Sequence, residues 1–341
     1  MPKLSRSWLP LALCALVTST AAQTPPAKPA AAPAAPALTP IEEPEWLFPV
    51  DPDSLLPKPD KPPKLDDTEL LGIPDSTEKF TLARINDPFN PPDWRPASHG
   101  PMPDVVARGR KPDVMACAYC HTPTGQGRPE NSALAGLPEA YIRQQLLDYR
   151  SGKRKAVGPV QYLPVQNMIK IAKAMNDQEI DDSARYFSQQ KLRRRVYVIE
   201  SLRIPRAERE DWVYMEHGGT EDLGDRLLEV TQDITRHAYR DDRLEYLAYV
   251  PPGAINRGKR LATTGEGKTQ VCSNCHLARL KGSDVIPAIS GRSPTYLLRQ
   301  MLAFRNGTRS GEAAAQMHPV VEKLTLNDMI DLVAYAASLP P

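Results

Sequence analysis

The chain has 341 residues, with 43 Lys and Arg against 41 Asp and Glu, which gives a formal net charge of +2. This near balance argues against a nucleic-acid-binding protein and against a partner that is recognised by strong electrostatic steering. The 36 prolines and five cysteines are unevenly spread, and their positions suggest how the chain is divided.

The first 22 residues predict a secretory signal peptide. Lys3 and Arg6 precede an apolar run over residues 8–17, and the small residues at 20–22 are typical of a cleavage site. The run is too short for a stable membrane span, so we expect a periplasmic mature protein without a span. The large residue before Cys14 is atypical of a lipidation site, so we do not expect a lipid anchor there.

The next two segments differ in composition. Residues 23–65 are rich in Pro and Ala and predict a disordered tether, because they bury too little apolar surface to offset their ordering entropy. Trp46, Leu47 and Phe48 interrupt this tether, either as a recognition patch or as a segment that folds onto a domain. Residues 66–104 have a mixed composition and predict an ordered arm that wraps the domain after it.

A Cys-Ala-Tyr-Cys-His motif, from Cys117 to His121, is the first motif along the chain that suggests a chemical function. Its two thiols are spaced to reach the vinyl groups of a haem while the histidine falls beneath the iron, which is typical of c-type haem attachment. A redox disulfide or half of a zinc site would also fit a single copy. However, the motif recurs from Cys272 to His276. With Cys14 removed with the signal peptide, no cysteine remains for a structural disulfide.

The two motifs begin equivalent segments that align without a gap. The matched pairs include Tyr141 with Tyr296, Gln145 with Gln300, Arg150 with Arg305, Gly152 with Gly307 and Arg154 with Arg309. An amphipathic helix over residues 138–150 has a counterpart after the second motif, and a glycine ends both. Two zinc ribbons would not share this helix. The sequence therefore predicts a duplicated helical domain, over residues 105–190 and 251–341.

Each copy offers a methionine as the ligand opposite the motif histidine, which is the usual choice for electron transfer. Both copies end in a helix that begins with a predicted capping box, at residues 176–179 and 325–328. Met168 and Met317 lie at the same distance before these boxes, whereas Met175 aligns with a leucine and is expected in the core. His318 is a rival in the second copy because imidazole binds iron well, but its counterpart, Ile169, argues against it.

Residues 191–250 separate the two copies and have a different pattern. β-branched and aromatic residues over 196–200, 227–231 and 247–250, with a turn signal at Gly218-Gly219, predict strands. We therefore expect a small β-rich insert, which is a candidate docking surface for a partner.

With these motifs, each copy resembles a class I cytochrome c domain, and the chain resembles the tandem di-haem c-type cytochromes of bacteria. The resemblance implies a mainly α fold and two haem c groups, held covalently through Cys117, Cys120, Cys272 and Cys275. It also implies axial iron ligation by His121 and Met168 in one half and by His276 and Met317 in the other. In this family a proline carbonyl usually accepts a hydrogen bond from the axial histidine. Pro287 matches it, and Ser132 stands at the equivalent place in the first half.

The resulting expectation is a periplasmic carrier of single electrons between a dehydrogenase or quinol-oxidising donor and a terminal acceptor, and not an enzyme in its own right. A subunit of a dehydrogenase complex is an alternative. A di-haem peroxidase would need an open sixth position, and the matched methionines argue against it. Tyr141, Arg154, Tyr296 and Arg309 are further candidate haem-pocket residues, and the two arginines are candidates to approach the haem propionates.

Overall fold

The computed structural model describes residues 38–55, 65 and 67–341, and those from 38 onward belong to one compact unit. The predicted signal peptide with Cys14 and much of the predicted tether lie outside the described residues. The α-helices are α1 Leu82–Ile85, α2 Asp104–Ala107, α3 Cys117–His121, α4 Glu139–Ser151, α5 Leu163–Ala174, α6 Asp177–Ser188, α7 Ile234–Ala238, α8 Ala254–Thr264, α9 Ser273–His276, α10 Pro294–Arg305, α11 His318–Val321 and α12 Leu326–Ser338. The strands are β1 Val196–Glu200, β2 Arg203–Glu210, β3 Val213–Asp222, β4 Leu228–Thr231 and β5 Tyr246–Val250. No helix among the described residues is long and apolar enough to cross a bilayer.

The helices of the first half form where the apolar spacing predicts them. Helix α4 buries Ile142, Leu146 and Tyr149 on one face, and it ends where Gly152 adopts φ +76°. Glycine takes this left-handed conformation without a steric penalty, so it is a common helix stop. Helix α6 begins with the predicted capping box, and Met175 just before it is buried in the core of this half.

The second half repeats this arrangement, and two of its helices cross in close contact. The predicted capping box at the start of α12 is confirmed, with the Thr325 and Asp328 side chains each bonded to the other residue's backbone. Helix α8 crosses α12 at Gly258, where a Cβ atom would lie 1.8 Å from the Asp331 carbonyl oxygen. Beside the crossing, Arg257 donates two hydrogen bonds, of 2.7 and 2.8 Å, to the Asp331 carboxylate.

The segment between the halves forms one five-stranded sheet, in the order β1-β5-β4-β3-β2. Strands β1 and β5 pair in parallel, as do β3 and β4, whereas β4–β5 and β2–β3 are antiparallel. Strands β1, β4 and β5 match the three predicted segments. The turn is elsewhere, because Asp211 and Trp212 (φ +42° and +67°) join β2 to β3. Gly218 and Gly219 instead lie within β3, opposite a register shift in β2.

One apolar core joins this sheet to the second half and to residues near the chain start. Leu227 and Val250 of the sheet region share a core cluster with Leu298 of α10 and Ile330 of α12. The predominance of helices confirms the mainly α prediction, and the sheet is attached to a helical half and is not a free-standing module.

Residues 38–55 correct the prediction of a disordered tether over 23–65. Leu47 and Phe48 are fully buried in that same core, and residues Glu45–Leu47 form a 3-10 helix. Asn306 at the end of α10 also binds both the backbone N–H and the carbonyl of Ile41. The apolar Trp46-Leu47-Phe48 interruption supplies the buried surface that the Pro/Ala-rich flanks lack, so this segment folds onto the second half.

The arm of residues 67–104 packs against the insert as well as the first half. Trp94 is buried and donates its indole N–H to the Tyr239 carbonyl at 2.7 Å. Arg95 pairs with the buried carboxylates of Asp241 and Asp242 at 2.8 and 2.5 Å. The Ala116 amide bonds to the Pro88 carbonyl at 2.9 Å, which ties the arm to the residues just before the first motif.

Candidate haem-binding sites

The first Cys-x-x-Cys-His motif forms helix α3, and its histidine is held by a backbone carbonyl. His121 Nδ1 lies 2.7 Å from the Ser132 carbonyl oxygen, so Nδ1 carries the proton and Nε2 carries the lone pair. Burial lowers the pKa of His121 to about 4, which keeps the imidazole neutral. A neutral histidine oriented through its second nitrogen is the form that ligates metals.

The second motif has the same geometry. His276 Nδ1 lies 2.8 Å from the Pro287 carbonyl oxygen, and burial lowers the pKa of this histidine as well. Pro287 and Ser132 occupy matching positions in the two halves, so the bond does not require a proline. The backbone carbonyl alone is sufficient, because its oxygen accepts the hydrogen bond from the Nδ1–H group.

Three of the four motif cysteines, Cys117, Cys120 and Cys272, do not have the properties of a redox-active thiol. Burial raises the pKa of Cys117 to about 12 and that of Cys272 to about 11, and it also raises the pKa of Cys120. A redox-active pair needs an accessible thiolate with a lowered pKa. The four motif cysteines are the cysteines within the part of the chain that the structure describes, and no disulfide joins them. The site therefore favours covalent attachment of a cofactor over disulfide exchange.

A cavity in the first half brings its predicted site residues together. Its empty space is about 1210 Å³, and part of this space is open to solvent. A cavity of this volume is large enough to hold an organic cofactor. Cys117, Cys120, His121 and Met168 all line it, and so does Met175 from the adjoining core. The candidate pocket residues Tyr141, Arg154, Tyr296 and Arg309 also line this cavity.

In the second half both candidate sixth ligands lie close together in the chain. Met317 ends the 3-10 helix Glu312–Met317 and packs, half-buried, against the core of this half. The adjacent His318 has a buried Nε2 atom with no hydrogen-bond partner among the described residues. A buried nitrogen of this kind needs a partner, so the imidazole remains a rival to the Met317 sulfur.

Arg154 joins the two halves through hydrogen bonds. It donates to Gln145 Oε1 in its own half at 3.0 Å. It also reaches across to the second half, where it donates to Tyr296 Oη at 3.1 Å and to Gln300 Oε1 at 2.8 Å. Its guanidinium group is buried and stacks on the Tyr149 ring, 4.4 Å from the ring centre.

Arg309 makes the mirror set of contacts. It donates to Gln300 in its own half at 3.2 Å, and to Tyr141 and Gln145 of the first half at 3.2 and 2.7 Å. The backbones of Arg154 and Arg309 face each other in an antiparallel bridge. Equivalent residues of the two halves are therefore related by a local two-fold axis. Neither half forms this arrangement alone.

This network carries buried positive charge without a matching carboxylate. Within the described residues neither arginine forms a salt bridge. Desolvation opposes ionisation of Tyr296, but Arg154 and Arg309 outweigh it and lower the Tyr296 pKa to about 8. Nearby Arg292 bonds only to carbonyl oxygens, and burial lowers its pKa to about 10. Buried charges are normally paired, so this wall suits a ligand that brings carboxylates, as haem does.

The loops that follow the two Cys-x-x-Cys-His motifs differ in how deeply they are buried. Residues 121–131 are all buried, whereas their counterparts include Leu277 and Val285, which are 45% and 67% exposed. The insert supplies the cover: Arg195 donates to the Gly127 carbonyl at 2.8 Å, and Asp242 accepts from Thr124 Oγ1 at 2.7 Å. The first site is therefore enclosed by the insert, and the second is open on this side.

Arg299 and Glu130 are among the residues of the first cavity that were not predicted from the sequence. Arg299 reaches in from α10 of the second half, but Gln144 holds the matching position, so the repeat gives no signal for it. Glu130 lies in the loop between the first motif and Ser132, and its counterpart is Val285. The repeat therefore gives no signal for Glu130 either.

Comparison with known proteins agrees with this geometry. Residues 106–191 match the model of the cytochrome c family. Cytochrome c-554(548) of Halomonas halodenitrificans is 37% identical over 78 residues, which are 23% of this chain and 94% of that protein.

Longer matches cover about two thirds of the chain. Cytochrome c4 of Stutzerimonas stutzeri is 23% identical over 232 residues, 66% of this chain and 85% of that protein. A thiosulfate dehydrogenase electron acceptor of Thiomonas intermedia is 24% identical over 220 residues, 63% of this chain and 74% of that protein. A crystal structure of reduced cytochrome c4 from Pseudomonas stutzeri aligns with a TM-score of 0.43 at 23% identity, over 65% of this chain and 93% of that one. Together with the paired motifs, the family match and the 37% identical relative show that this chain belongs to the cytochrome c family, whose cofactor is haem c.

Proposed function

We propose that this protein is a periplasmic di-haem cytochrome that carries single electrons between redox proteins. Cys117, Cys120, Cys272 and Cys275 would hold the two haems covalently, and His121 with Met168 and His276 with Met317 would be the axial iron ligands. Haem iron supplies the one-electron chemistry. The polypeptide holds the ligands, excludes water and keeps reorganisation small.

The observation that carries this proposal is the pair of histidine–carbonyl bonds at matching positions. His121 and His276 each use Nδ1 to bond a backbone oxygen, at 2.7 and 2.8 Å, which directs Nε2 to a ligand. Such an outer hydrogen bond fixes the ring and raises its basicity as a metal ligand. Finding it in both motifs supports two equivalent iron sites and not one active and one vestigial site.

The arginine network supports a second element of the proposal, which is communication between the halves. Arg154 and Arg309 would hold haem propionates from either side of the local two-fold axis, because each already bonds to residues of both halves. The first cavity is lined in part by Tyr296, Arg299 and Gln300 of the second half. This shared wall would give an electron a short route between the two cofactors.

Haem content tests the proposal. After expression with the full c-type maturation machinery, we expect two covalent haems per chain from the pyridine haemochrome spectrum and the protein mass. The double variant Cys117→Ala/Cys120→Ala should carry one haem, and Cys272→Ala/Cys275→Ala should also carry one. One haem or none in the unaltered protein would contradict the proposal.

A second candidate is the electron acceptor of a specific dehydrogenase. The observation in its favour is the relative from Thiomonas intermedia, which bears the name thiosulfate dehydrogenase electron acceptor. Under this hypothesis, a purified thiosulfate dehydrogenase plus thiosulfate should reduce the oxidised protein, as followed by its visible haem bands. Thiosulfate alone is the control. Absence of reduction with an enzyme that still reduces ferricyanide would reject this candidate and leave the general carrier function intact.

A further inference from the structure

Glu130 is the one acidic residue among the described residues that line the first cavity, and it is fully enclosed there. Arg154, Lys155, Arg299 and Arg309 line the same cavity, so its wall is otherwise basic. The Glu130 carboxylate is thus placed beside the proposed cofactor site and away from bulk water.

The two carboxylate oxygens of Glu130 have different surroundings. Oε1 accepts a hydrogen bond from Asn131 Nδ2 at 3.1 Å and lies 2.7 Å from Arg128 Nε, in an orientation that makes no hydrogen bond. Oε2 is buried and has no hydrogen-bond partner in the described part of the chain. A buried carboxylate oxygen without a donor is costly as an anion, and a proton removes that cost.

Groups from several elements face this carboxylate. Those that interact with it electrostatically are Arg128 of its own loop, Cys120 of α3, Asp211 between β2 and β3, His237 of α7, Tyr246 of β5, Tyr162 before α5 and Arg299 of α10. Desolvation is the largest influence and outweighs Arg128 and Arg299, so the pKa of Glu130 is raised to about 7. Burial instead keeps His237 neutral, because it lowers the His237 pKa well below the usual value.

We propose that Glu130 is a redox-linked proton site, which takes up a proton at Oε2 when the first haem site gains an electron and releases it on oxidation. The proposal rests on the electron-transfer function above. The balance is one electron from the redox donor and one proton from solvent per turnover, and no bond other than the O–H bond forms or breaks. Proton and electron together leave the charge of the buried site unchanged, which is the physical reason for the coupling.

The coupling is specific to one half of the molecule. Val285 holds the matching position in the second half, is 67% exposed and has no ionisable group. The second site therefore lacks this carboxylate, and it provides an internal reference for any pH effect on the first.

The direction of the effect follows from the charges. The oxidised iron carries one more positive charge than the reduced iron, and this favours the ionised carboxylate, so the pKa of Glu130 is lower in the oxidised protein. Between the two pKa values, reduction binds a proton, and the midpoint potential of the first haem falls as pH rises. The limiting slope is about 59 mV for each tenfold change in proton concentration.

The experiment is a spectroelectrochemical titration of the holoprotein at a series of pH values, which extends about two units on either side of neutral. We expect one wave to shift with pH and the other to stay nearly constant. Met317→His, which lowers the second potential, assigns the waves. Glu130→Gln should abolish the slope of the first wave, whereas Glu139→Gln, an exposed carboxylate of the same half, should preserve it.

Infrared difference spectroscopy on the unaltered protein is the second measurement, since Glu130→Gln could impair folding. Reduction should produce a protonated-carboxyl C=O band that shifts when the protein is labelled with ¹³C-glutamate. Two haems with pH-independent potentials and no such band would overturn the proton site and leave the proposed function standing. Loss of the haems or of their axial ligation would instead overturn the proposed function. Equal slopes in both waves, unaffected by Glu130→Gln, would assign the proton to another group.

Discussion

Four side chains are candidates for the two sixth-ligand positions, and their surroundings differ. Met175 is 5% exposed and belongs to the core of the first half, whereas Met168 is half-buried on α5, on the cavity wall. In the second half, Met317 has the position that matches Met168, and His318 has a buried nitrogen without a partner. A thioether ligand gives a higher potential than a second imidazole, so the choice affects function.

Ligand variants distinguish these candidates. We expect Met168→Ala and Met317→Ala each to remove about half of the methionine-to-iron charge-transfer absorption of the oxidised protein, because each of two irons would lose one sulfur ligand. Met175→Leu is the matched control, since it keeps a core side chain of similar volume, and it should leave the absorption intact. A silent Met317→Ala combined with an altered spectrum in His318→Ala would assign bis-histidine ligation to the second haem.

At the scale of elements, helices α8 and α12 of the second half cross in close contact. Gly258 permits it because the Asp331 carbonyl oxygen occupies the space that a Cβ atom would need. The obstacle is backbone and not a flexible side chain, so the helices must separate to admit a larger residue. The paired Arg257 and Asp331 side chains would be displaced with them.

Gly258→Ala tests this crossing. Alanine favours a helix interior by about 1 kcal/mol over glycine, but overpacking costs about 1–3 kcal/mol, and the overlap here cannot relax locally. We therefore expect a net loss in the free energy of unfolding, measured by denaturant titration of the holoprotein. Gly100→Ala, with no atom within 4 Å of the added Cβ, should change it by less than about 0.5 kcal/mol. A more stable Gly258→Ala variant would show that the helices can move apart freely.

Some of these elements could be predicted from the sequence because short-range rules determine them. Both capping boxes, the glycine after α4 and the apolar face of α4 follow from residue spacing. Strands β2 and β3 could not, because much of Arg203–Asp222 is exposed on both faces and lacks an alternating pattern. At the site, the cysteines and histidines follow from the motif. Arg299 and the cover over residues 121–131 depend on long-range packing, which a repeat cannot reveal.

At the scale of the whole molecule, the insert belongs to both halves. Its sheet shares a core with α10 and α12, while Arg195, His237 and Asp242 bond to the loop that follows the first motif. The sequence left two roles open for this segment, a docking module for a partner and a segment that packs between the two domains and fixes the distance between their haems. The contacts favour the second role, because the insert closes the first site and also packs against the second half.

Arg195→Met tests this role of the insert without removing it. The Arg195 side chain is buried and donates to the carbonyl oxygens of Gly127 in the first half and Leu244 in the insert, at 2.8 and 2.7 Å. Methionine retains much of the apolar stem but no donor, so two buried carbonyl oxygens lose their partner, at a cost of about 1–3 kcal/mol. We expect faster amide hydrogen exchange across residues 121–131 and unchanged exchange in the matching second loop.

Arg206→Met is the control, because Arg206 is exposed on β2 and its one ion pair within the described residues, with the exposed Glu208, contributes little. The first haem should respond in Arg195→Met as well, since a loosened loop admits water to a buried site and water lowers the potential of the haem it reaches. The second potential should stay constant in both variants. If both variants instead left exchange and both potentials unchanged, the insert would not close the first site. Its contacts with residues 121–131 would then be incidental to a docking surface elsewhere on the sheet.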